Sequence, residues 1–133
     1  MAIFTRIRVY WLPMKKQIGI FLSALALILL LIALVAGFVA ASGKGSIDLH
    51  TNVGFVAGLV SIGAHLLWGG GLNFLATFFL ITVLGTGLSG SIQEIPSTLH
   101  PALAILGWLI AILANIKNLY PLFRRPGRSK LSS

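Results

Sequence analysis

Between Ile18 and Ala41 the chain runs for a full membrane thickness without one charged side chain. About 20 apolar residues in a helix span roughly 30 Å of hydrocarbon, and only a helix can satisfy the backbone there. The flanking Lys15 and Lys16 and the small residues Ala40, Ala41 and Ser42 are similar to a secretory signal and its cleavage site. The apolar run exceeds the roughly 7 to 15 residues of a signal core, so the segment is expected to stay as a span.

The same character continues along the 133 residues, of which 57% are hydrophobic and 9% charged. That is far from the roughly 25% charged residues of soluble domains and leaves no length for a separate soluble domain. The expected architecture is an all-α integral membrane protein, a single domain of four transmembrane helices at about 18–41, 49–68, 72–90 and 99–116. Gly69, Gly70 and Gly71 form a turn so short that the third span must return at once beside the second. Residues 1–16, with Ile3, Phe4, Tyr10 and Trp11 interleaved with Arg6 and Arg8, read as an interfacial or cytoplasmic segment. Residues 117–133 read as a basic cytoplasmic tail, mobile at its end.

Of the ten Lys and Arg residues, only Lys44 falls between the first and fourth spans. The positive-inside rule then places both termini in the cytoplasm, in a multi-pass protein of a bacterial cytoplasmic membrane. The +8 charge is therefore a topology signal, not a nucleic-acid footprint. Anionic lipid or an acidic partner surface is a further use for the arginine-rich tail, but orientation already accounts for it.

Both acids, Asp48 and Glu94, belong to outer loops, so the spans carry no carboxylate of the kind a proton- or cation-coupled transporter needs. The absence of cysteine removes disulfides, thiolate metal sites and a cysteine nucleophile. No Gly-x-Ser-x-Gly elbow or His-Glu-x-x-His motif is present either, which leaves an electron-transfer or accessory subunit ahead of an enzyme.

The candidate chemistry lies in His50, His65 and His100. His50 and His100 each open a span after a leucine, with Asp48 and Thr98 as plausible caps, and spans two and four run in the same direction. The two imidazoles are expected at one membrane depth, facing each other. His50, Gly54, Ala57, Gly58, Ser61, His65 and Trp68 form one small-residue face; His100, Ala104, Gly107, Ala111 and Ala114 form another. Two such faces leave room for a flat guest, and haem b, taking an imidazole on each side of its iron, meets the description. Small faces also pack helices without any cofactor.

His65 lies about 22 Å along the helix from His50, near the spacing for a second haem. A shift that aligns His50 with His100 brings His65 onto Asn115, which offers an amide instead of an imidazole. Other uses of His65 are packing, ligation of a chlorophyll magnesium or a hydrogen bond to a quinone carbonyl. Asn115 is expected to tie neighbouring helices together.

The pattern His50-x-x-x-Gly54 on one span and Leu99-His100-Pro101 opening another, within about Asp48 to Asn115, resembles the small four-helix membrane b-type cytochromes. The resemblance implies His50 and His100 as axial ligands to haem b, in a subunit that moves electrons between quinone and other membrane subunits of a redox complex. The first and third spans lack histidine, so it does not extend to the two-haem version. Beside it stands a cofactor-free or pigment-binding accessory subunit of a respiratory or photosynthetic complex.

Overall fold

The computed structural model describes residues 13–90 and 99–123, and within them the chain is helical wherever it is regular. Four helices follow one another: α1 (Met14–Ala41), α2 (Ile47–Trp68), α3 (Gly71–Gly90) and α4 (Leu99–Phe123). The interfacial segment through Leu12, the loop with Gln93, Glu94, Pro96 and Thr98, and the tail from Arg124 onward lie outside the described residues.

Each helix packs on two neighbours, in the ring α1, α2, α3, α4 and back to α1, with α2 and α4 also meeting across the diagonal. We call the end bearing the N-termini of α2 and α4 upper, and the end with the α2–α3 turn lower.

α1, α2 and α4 are each long and apolar enough to cross a membrane, so the chain is read as a multi-pass integral membrane protein. In α3 the apolar stretch runs from Gly71 to Gly87. Phe21, Val35, Phe38, Phe78 and Leu113 stand exposed on the outside, a distribution that lipid accommodates and water does not. The interior is made of small residues: Ala26, Ala33, Ala57, Ala64, Ala76, Ala111 and Ala114 are fully buried, with Leu30, Leu80 and Trp108 as the larger fillers. Lipid tails are as apolar as leucine, so close van der Waals contact through small side chains drives this packing.

Several boundaries differ from the sequence expectation. α1 starts one turn earlier, because Pro13 suits the position before a helix and lysine stems can snorkel to the interface. α2 is capped by Ser46, whose side chain accepts from the Leu49 amide at 3.2 Å, while Asp48 sits in the first turn. α4 does not stop at Ile116; it continues through Lys117 to Phe123, with Pro121 in its last turn. Residues 117–123 are thus helix, not the start of a polar tail. At the α2–α3 turn, Gly69 and Gly70 adopt φ of 67° and 87°, the left-handed region that glycine enters without a Cβ penalty.

Candidate functional site

His50 and His100 line one apolar cavity at the upper end, of about 320 Å³. Its walls come from α1 (Ala33, Gly37, Phe38), from Ile47 and His50 at the start of α2, and from His100, Ala104 and Trp108 on α4. This is the low end of the roughly 300–1,000 Å³ range of small-molecule and cofactor sites.

The two imidazoles are anchored on opposite neighbours. His50 lies against Gly37 of α1, where an added Cβ would come within 2.8 Å of its Cε1, and its Nδ1 is 3.1 Å from the Ala33 carbonyl. A carbonyl only accepts, so Nδ1 carries the proton and donates. His100 lies against Gly87 of α3, with its Nδ1 3.1 Å from Thr86 Oγ1. The Thr86 hydroxyl spends its own proton on the Val83 carbonyl at 3.0 Å, so here too Nδ1–H is the donor. In the neutral form of each ring Nε2 then keeps its lone pair. Both rings are part-buried, and a donated Nδ1–H fixes ring orientation as it does behind metal-bound imidazoles.

Both rings reach this one cavity from the upper end of the bundle. Below it Gly54 meets the Trp108 ring, and Ser61 accepts from Asn115, so α2 and α4 touch across the diagonal.

The small faces are also fuller than expected. Trp108 lies over Gly54, Leu84 closes on Gly58, and Val83 with Phe79 closes on Gly107. Gly54 and Gly107 thus serve close helix packing, and neither lines the cavity.

His65 lies apart from this cavity and is 1% exposed. Its Nε2 is 3.4 Å from Ser61 Oγ, which accepts from Asn115 Nδ2 at 2.8 Å; the same amide nitrogen donates to the Ala111 carbonyl at 2.9 Å. Asn115 does tie α4 to α2, through Ser61 rather than His65.

Sequence reasoning missed a second tie. Asn73 and Asn118 exchange amide hydrogen bonds of 3.2 and 2.9 Å, and Asn73 also donates to the Gly69 carbonyl at 2.6 Å, locking the lower ends of α3 and α4 beside the turn. An asparagine at the start of an apolar span was a legible signal, but its partner stood in residues read as tail. Asn118→Leu should lower stability by about 1 kcal/mol by orphaning the Asn73 carbonyl, and Asn73→Leu added to it should cost less than the sum of the singles. Thermal unfolding of the four variants in one detergent measures this, and simple additivity would disprove the coupling.

Among the described residues no group of three or more His, Asp or Glu side chains is placed to hold a metal ion. A protein-only metal site is therefore not formed by them. An axial histidine pair is a smaller demand, because a tetrapyrrole brings four ligands of its own. The fold and this cavity define the class: a multi-pass α-helical membrane chain with a two-histidine apolar pocket. Comparisons with protein-family models, with curated proteins and with solved structures find no match.

Proposed function

We propose that the chain is a haem b-binding membrane subunit with His50 and His100 as axial ligands, passing electrons to and from quinone or other membrane subunits of a redox complex. The observation that carries this reading is that both imidazoles line one apolar cavity with Nδ1 of each tied back to the protein. When bound, haem b supplies a one-electron couple. The chain's own part is to hold the two imidazoles in one tautomer and, through Ala33, Ile105 and Trp108, to keep water from them.

In this reading α3 is the fourth span, and both termini face the cytoplasm of a bacterial cell. The basic residues Lys15, Lys16 and Lys117 then all lie at the lower, cytoplasmic end, in keeping with the positive-inside rule.

The second reading is a cofactor-free accessory subunit. It is favoured by the lower half of the bundle, where the Asn73–Asn118 and Asn115–Ser61 bonds join helices without any guest. A dithionite-reduced minus oxidised spectrum of the purified full-length chain, with pyridine haemochrome quantitation, separates the two. A reducible Soret and α band at one haem per chain is expected; a colourless protein, purified with its native partners present, would leave the accessory subunit.

A further inference from the structure

Five buried side-chain atoms lack a hydrogen-bond partner among the described residues, Ser23 Oγ, His65 Nδ1, Trp68 Nε1, Thr77 Oγ1 and Asn115 Oδ1, and four of them, one from each helix and all but Trp68 Nε1, lie near one depth. The packing contacts show how close in height they are. Gly19 lies against Trp68, so Ser23, one turn up α1, is level with Ala64 beside His65. Gly58 lies against Leu84, so Thr77, two turns down α3, is level with His65, two turns down α2. Asn115 is level with Ser61, the next turn above His65 on the same helix. The four atoms thus fall within about one helical turn, roughly 6 Å of height.

Ser23, His65 and Asn115 are at most 1% exposed, so neither lipid nor bulk water reaches them. A hydroxyl inside a helix ordinarily bonds back to a carbonyl one turn earlier. Thr82 does so to Phe78 at 2.9 Å and Thr86 to Val83 at 3.0 Å, whereas Ser23 and Thr77 do not. Each orphan left dry would cost about 1–3 kcal/mol, and the hydrocarbon around the bundle offers no relief.

We propose that this layer is a binding site for ordered water, bridging α1, α2, α3 and α4 through Ser23, His65, Thr77 and Asn115. The chemistry selects the guest. Asn115 Oδ1 requires a donor, the two hydroxyls both donate and accept, and a single molecule able to do both for two to four partners is water. The layer contains no carboxylate to balance a cation and no lysine or arginine to balance an anion. Hydration makes His65 the one imidazole in the lower half whose ring nitrogen has an exchangeable partner. The inference stands whether or not haem binds at the upper end.

The test uses the full-length chain in lipid nanodiscs, labelled with ¹⁵N-histidine and ¹⁵N-asparagine, and water-edited solid-state NMR. Rapid magnetisation transfer from water to the His65 ring and the Asn115 amide is expected. Ser23→Ala and Thr77→Val supply a second readout whose sign differs between the alternatives. In a hydrated layer each variant deprives the water of a partner, so the Tm falls and transfer to His65 drops severalfold. In a dry layer each removes an orphan, so the Tm holds or rises. No transfer to His65 beyond that of lipid-facing residues, with an unchanged or raised Tm in both variants, would overturn the proposal.

Discussion

Alanine at His50 or at His100 is expected to take the purified chain from one haem to none, because a bis-histidine iron depends on both axial bonds and the rest of the cavity is apolar. The fold should survive either change. His50 gives up one bond to the Ala33 carbonyl and His100 one to Thr86, both at the upper end of the bundle, while the Trp108, Asn115 and Asn118 contacts are untouched. A subtler variant probes the tautomer. Thr86→Val removes the acceptor that holds His100 Nδ1–H, and loss of such a supporting bond typically costs about 10–100-fold in metal affinity. Haem titration followed at the Soret band, with circular dichroism to verify helix content, measures all three. Full haem content in His50→Ala and His100→Ala would sink the axial assignment, whereas an absence of haem already in the parent chain would sink the electron-carrier reading itself.

Gly107→Val is expected to be the most damaging change away from the histidines. A Cβ there would lie 2.9 Å from Val83 Cγ2 and 3.5 Å from the Phe79 carbonyl oxygen, and Val83 is itself buried at the α3–α4 contact. The branched side chain cannot turn away from both, so the two helices must separate locally. Overpacking of this kind costs about 1–3 kcal/mol. Gly63 supplies the control: nothing lies within 4 Å of its added Cβ, so Gly63→Ala should gain about 0.5–1 kcal/mol from helix propensity alone. Thermal unfolding of both in the same detergent should show shifts of opposite sign. Shifts of the same sign would mean that glycine acts here through backbone entropy alone and not through close approach.

Much of the fold was legible in the residues. An uncharged run as long as Ile18–Ala41 has no option but a helix in lipid, and the Gly69–Gly70–Gly71 turn is too short to do anything but send α3 back along α2. The small-residue faces of α2 and α4 also turned inward as their spacing required, with Gly54, Ala57, Gly58, Ser61 and His65 on one side and Gly107, Ala111 and Ala114 on the other. Helix ends were less legible. Ser46 and Asp48 are both good caps, and the choice between them depends on where the chain leaves α1; Lys117 marked the edge of apolarity, but a helix does not end where its charge begins.

Within the candidate site, sequence determined which residues have chemistry to offer, and tertiary structure decided how they are combined. Periodicity places a histidine on a face; it contains no information about the height at which that face meets another. That height comes from the seating of Trp108 on Gly54 and the bond from Asn115 to Ser61, contacts between residues far apart in the chain. They give Asn115 to a serine instead of a histidine. The tautomers of His50 and His100 were equally out of reach, since the groups that set them, the Ala33 carbonyl and the Thr86 hydroxyl, belong to helices that carry no histidine. Sequence patterns record local geometry, whereas register and protonation are set by neighbours that only folding supplies.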